Sequence, residues 1–139
     1  MAGNIIIGYD TNTVTFSDFS GDDLPGTVLG QASLEFSQLG LGYAQGPART
    51  QRKIWAIATY ATTAQVATLN TIFTAWDSDR ATSLNTAVVT VYDDLLREKT
   101  GNSSIPITNT TAFFTTPPTV SLVGGSNEIF LLSFGLTEV

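Results

Sequence analysis

Two short acidic groups are the first places in this chain where chemistry could be done. "DSDR" sets Asp77 and Asp79 around Ser78 and next to Arg80, and Asp93 and Asp94 form a second carboxylate pair. A hard cation such as calcium needs about six to eight oxygens around a glycine-bent loop. Neither requirement is specified near Asp77, so "DSDR" reads as a helix-ending turn in which Arg80 pairs with an acid. A carboxylate pair can also hydrolyse a glycoside, but only in a cleft with aromatic and polar donors. Asp93 and Asp94 follow an apolar run and read as a polar strand end. Nucleophilic chemistry has little to work with. The chain has no histidine and no cysteine, so a serine would need a lysine base, and Lys53 and Lys99 show no recognisable spacing to one. "GLGYAQG", from Gly40 to Gly46, has the glycines of a phosphate loop, yet a strand follows it where phosphate sites require a helix N-terminus. These residues predict a protein that is not an enzyme, with no catalytic, cofactor or metal site.

The cations are more informative. Of six Lys and Arg in the chain, Arg49, Arg52 and Lys53 fall in one stretch, "LGLGYAQGPARTQRKIWAIATY", at the start of a Trp-containing strand. Three readings are open: phosphate contact, solvated strand entry, or pairing with an acidic patch on a neighbouring subunit. Twelve acids give a net charge of −6 and a pI near 4.2, which disfavours a dedicated nucleic-acid binder. Charged residues are 13% of the chain, about half the usual share. Such surfaces suit subunits packed against copies of themselves, and also soluble β domains of the extracellular kind. Trp55, Trp76, Phe113 and Phe114 could be stacking platforms for a base or sugar, but their spacing matches core faces.

The elements that position these residues follow from periodicity. A length of 139 residues predicts one domain, 1–139. "NIIIGY" and "TVTF" read as two strands around the turn "DTN", and 17–31 as a long loop with Asp22 and Asp23. "ASLEFSQL" is a weak strand. "TQRKIWAIATY" alternates Trp55, Ile57 and Thr59 against Ile54, Ala56 and Ala58, which predicts a central strand covered on both faces. One helix is expected from about Thr62 to Asp77. It carries Val66, Leu69, Phe73 and Trp76 at spacings of three and four, with Ile72 widening the stripe. Asp77 and Asp79 oppose the helix dipole and are expected to end it. "NTAVVTVYDDLL" is a further strand and "REKTGNSSIPITNTT" a polar connection. Pro117 and Pro118 place the strand "AFFTTPPTVSLVG" at an edge or corner. "GGSN" reads as a hairpin turn, and the chain closes on "EIFLLSFGLTEV" with Phe130, Leu132, Phe134 and Leu136 on one face. No leader is visible, and no apolar run approaches the roughly 20 residues that span a bilayer.

Taken in order, "GLGYAQ", "RKIWAIATY", "ATLNTIFTAW", "FFTTPP" and the closing "FGLTEV" resemble the minor tail proteins of tailed bacteriophages, the lambda-type M group. The resemblance runs over 39–139, with a longer connection at 83–111. Arg49 and Arg52 are displaced from the place after the loop tyrosine, Tyr43, where the group often has Gln-Arg. The resemblance implies a mainly β (α+β) fold, an antiparallel β-sandwich or barrel of the tail-tube type with one packed α-helix. It further implies a structural ring subunit at the distal end of a tail tube, joining tube to baseplate or tip hub around the DNA channel. Its partners would be copies of itself, in a ring of six, and neighbouring tube and hub proteins. DNA would pass through without specific binding, no membrane would be involved, and the site would be the virion tail, assembled in the host cytoplasm. Arg49, Arg52, Lys53 and Tyr43 would then form the subunit interface, with Asp22, Asp23, Asp93 and Asp94 as acidic partners across it. Another virion β domain, at the head–tail joint or on the capsid, and a carbohydrate-binding β-sandwich are the alternatives.

Overall fold

The structure, a computed structural model, describes residues 3–21, 25–29, 33–36, 40, 42–45, 52–83, 86–124 and 128–139, with the backbone alone at 27–29, 33–36 and 42–45. Strands β1 (Ile5–Tyr9) and β2 (Asn12–Phe16) form the expected hairpin, paired from Ile5↔Phe16 to Tyr9↔Asn12. Asp10 makes the tight turn at φ 54°, a left-handed conformation that Asp tolerates better than most residues. β3 (Gly26–Leu29), β6 (Arg52–Thr62), β7 (Val89–Asp93), β8 (Thr108–Leu122) and β9 (Ile129–Glu138) complete one seven-stranded sheet. Its order is β2-β1-β7-β8-β9-β6-β3 and every pair is antiparallel. Between β3 and β6 in sequence, β4 (Ser33–Phe36) and β5 (Gly42–Gln45) pair only with each other.

The stretch expected to be a long loop is largely sheet-bound. Beyond Phe16 the chain leaves one edge of the sheet and runs along the free side of β6. Tyr60 N donates to Asp18 O (2.8 Å), Ser20 N to Ala58 O (2.9 Å) and Ala56 N to Pro25 O (3.0 Å), and β3 then continues the pairing. Asp18–Ser20 and Pro25–Leu29 thus both lie along the free side of β6, the edge opposite β2.

Helix α1 (Thr63–Arg80) covers the core. Thr62 Oγ1 accepts from Gln65 N while Gln65 Oε1 accepts from Thr62 N (2.9 Å), a capping box that satisfies two amides at the helix start. The expected stripe faces inward: Leu69, Ile72 and Trp76 are buried, and Val66 and Phe73 pack at its rim. Trp76 and Phe73 meet Phe114 at 5.3 and 5.2 Å between ring centres, and Trp76 Nε1 donates to Ala87 O. The helix passes Asp77 and ends at Arg80, because both acids have partners. Asp77 Oδ1 lies 2.7 Å from Arg80, and Asp79 accepts the Tyr9 hydroxyl.

Below the helix, one face of the sheet is apolar and dry. Ile5, Ile7, Phe16, Val91, Leu132 and Leu136 are among the side chains removed from water, each worth roughly 1.5–3 kcal/mol. β6 is not covered on both sides as its sequence suggested. Trp55, Ile57, Thr59 and Ala61 are buried, whereas Ala56 and Tyr60 are exposed. The apolar positions on its second face are mostly alanines, and these do not enter a core. The tandem prolines sit where an edge was expected. β7 pairs with β8 only as far as Ala112, and the β8–β9 register shifts on both sides of Thr116. A second helix was not foreseen: α2 (Leu95–Thr100) ends at Gly101, whose φ of 65° supplies a left-handed cap. The expected turn "GGSN" lies mostly outside the described residues.

Candidate functional site

Lys53, at the start of β6, is where the expected interface residues come together. Its Nζ lies 3.0 Å from Asp93 Oδ2 at the end of β7 and 3.4 Å from Thr108 Oγ1 at the start of β8. The same Asp93 oxygen accepts the indole N–H of Trp55 (2.9 Å), and Asp93 Oδ1 accepts from Leu95 N (2.9 Å). Asp93 is 5% exposed, so its charge is tolerable only because three donors surround it. The last bond is local, a carboxylate caging the amide two residues on, and it turns the chain from β7 into α2.

A second carboxylate extends the cluster. Glu138, near the end of β9, accepts from Lys53 N (2.8 Å) and from Thr110 Oγ1 (3.1 Å), and its own carbonyl accepts from Arg52 (3.4 Å). Gly26 on β3 makes room for it: a Cβ there would collide with Lys53 Cε and stand 3.1 Å from Trp55 Nε1. Lys53 also lies 5.4 Å from the Trp55 ring centre. Strands β3, β6, β7, β8 and β9 thus meet around one lysine. The arrangement holds the ends of distant strands together, and the Asp93 carboxylate, taken up by donors on both oxygens, is suited to fixing geometry rather than to moving a proton.

Lys53 and Asp93, expected on opposite sides of a subunit boundary, close on each other within one chain. Asp94 also turns to its own chain, accepting from Asn4 N (2.7 Å) and from the Tyr92 hydroxyl (3.4 Å). Burial, then the Asp94 charge, pushes the Tyr92 phenol above its usual value. Arg52 is half-buried. Arg49, Asp22, Asp23 and the Tyr43 side chain lie outside the described residues. Trp55, Glu138, Thr108 and Gly26 were missed as parts of the cluster. The only sequence signal for them was the unusual Lys-Ile-Trp start of β6.

At the far end of β1, Tyr9 donates to Asp79 Oδ2 (2.5 Å). That hydrogen bond, then burial and the charges of Asp79 and Asp10, pushes the Tyr9 phenol from 10.0 up to about 12. Among the described residues no three His, Cys, Asp or Glu gather as a metal site would require, and no helix is long and apolar enough to cross a membrane. No protein-family model matches the chain, and no curated protein sequence matches it.

Proposed function

We propose that the chain is a non-enzymatic structural subunit of a bacteriophage tail, one of a ring of six at the distal end of the tail tube, where tube meets baseplate or hub. The observation that carries this reading is the path after β2. Asp18–Ser20 and β3 both pair with β6, at the edge opposite β2, which supports reading the antiparallel sheet, with α1 over its core, as the barrel that the tail-tube resemblance implies. Four of the five motifs behind the resemblance fall on β6, α1, the first half of β8 and the end of β9, which are neighbouring strands of the sheet and the helix that covers it. Low charge density suits a subunit surrounded by copies, and net acidity suits a channel through which DNA slides. With Lys53 held inside the chain, pairing with neighbouring subunits of the ring falls to Arg49. The test is to locate the subunit in a virion reconstruction or by labelling intact particles. A ring in the distal tail is expected, whereas a position on the capsid shell or in a peripheral receptor-binding tip overturns the reading.

A further inference from the structure

The outward face of β6 combines small side chains with a low density of charge. Strand alternation puts Arg52, Ile54, Ala56, Ala58 and Tyr60 on one side, away from the core. The neighbouring outward positions are Ser133 and Gly135 on β9 and Thr116 on β8, and together they line a groove of about 330 Å³ with the β6 alanines. Gly135 keeps the face flat, since a Cβ there would stand 2.9 Å from Thr116 Oγ1. From Ile54 to Tyr60 this face has no charged side chain. Its charges stand at the two ends. Arg52 is at one, its guanidinium meeting only a carbonyl at 3.4 Å among the described residues. At the other, Asp18 lies across from Tyr60, its backbone carbonyl taking the Tyr60 amide. Its carboxylate is exposed, with no ion pair or hydrogen bond among the described residues, beside a hollow of about 260 Å³ that Tyr60 shares.

We infer that this face binds a second copy of the same chain, strand β6 against strand β6, around a two-fold axis. The placement of charge selects this occupant. A two-fold contact brings position i of one copy to position j of the other and j to i. With the axis at Ala56, Ala58 of each copy meets Ile54 of the other, and Arg52 meets Tyr60 and Asp18, about 26 Å along the strand at roughly 3.3 Å per residue. The guanidinium then has a carboxylate and an aromatic face to bind, at both ends of the contact. Small side chains between them let the two sheets approach. The inference goes beyond the ring reading and does not rest on it: a two-fold pair is closed by itself, and it leaves helix α1 and the sheet ends for other contacts.

The experiment is sedimentation equilibrium of the full chain over a wide concentration range. A monomer–dimer equilibrium is expected. Arg52→Glu places two like-charge contacts in each pair, and so does Asp18→Arg. Each is expected to weaken dimerisation about tenfold or more. Mixing the two variants restores one native and one reversed ion pair, so a heterodimer of near-native affinity is expected, which also shows that both variants are folded. The chain has no cysteine of its own, so Ala56→Cys offers one thiol per copy, and a short bis-maleimide is expected to join two chains through it. A chain that stays monomeric, a dimer indifferent to both charge reversals, or a dimer that does not cross-link at position 56 overturns the inference. The position of the subunit in the virion tests the tail reading separately.

Discussion

The two faces of β6 share one backbone and almost nothing else. Inward, Trp55, Ile57 and Ala61 are buried under α1, and Thr59 is buried too because its hydroxyl donates to Asp18 O. Outward, Ile54, Ala56, Ala58 and Tyr60 alternate with them, half-buried or exposed. The difference lies mid-strand, where Trp55 and Ile57 point inward and Ala56 and Ala58 outward. A large side chain fixes a strand by filling a space that the other elements leave. A row of alanines fills nothing by itself and gains only when another flat surface arrives. The first face therefore decides whether the chain folds, and the second bears on what the folded chain meets.

The most damaging way to break this contrast is Trp55→Ala. It opens a cavity in the core and removes the indole donor from buried Asp93, so a loss of about 3–5 kcal/mol is expected in chemical denaturation. A loss below about 1 kcal/mol would mean that the inward face is not the one that holds the fold.

Next in size is Lys53→Met, which keeps the stem and removes the charge. Asp93 would stay buried with two donors in place of three, and a cost of about 1–3 kcal/mol is expected. Adding Asp93→Asn should recover part of it, because the uncompensated charge is then gone. If the double variant is no more stable than the single one, the pair acts through packing alone.

Ala56→Ser sharpens the comparison from the outward side. At this exposed position, monomer stability should change by no more than about 0.5 kcal/mol. A loss several times larger would show that the outward face is already engaged within the chain.

The smallest effect is expected far from β6, at Tyr9. Its phenol is held protonated in the folded chain, at about 12 against 10.0. The contribution is therefore complete below pH 10 and fades as pH rises through 12. Ultraviolet titration should show a phenol ionising near 12, beyond the raised Tyr92, and either Tyr9→Phe or Asp79→Asn should abolish that last step. If the step survives both, it belongs to another tyrosine.

Legibility in the sequence tracked the range of the interaction. The stripe of Leu69, Ile72 and Trp76 on α1 lies within a few turns and was visible in the spacing. The halt at Asp77 was wrongly expected because the dipole argument could not include Tyr9, 70 residues away from Asp79. Helix α2 was missed although Lys-Thr-Gly carries its end signal, since a six-residue helix has too little periodicity to stand out. The pairing within the expected interface set was illegible for a related reason. Opposite charges in a sequence advertise attraction, but nothing in their order says whether the partner is in the same chain.

What the sequence determined by itself is the inward set on β9 and α1, because burial at a period of two or 3.6 follows from local backbone geometry. Only the tertiary structure decided that Lys53 meets Asp93, that Gly26 clears the space for both, and that Asp18 lies across from Tyr60. Those three contacts span 27 to 42 positions in the chain. Each exists because the sheet order β2-β1-β7-β8-β9-β6-β3 brings its partners together, and strand order is set by the competition among all possible pairings, which no single stretch of residues encodes.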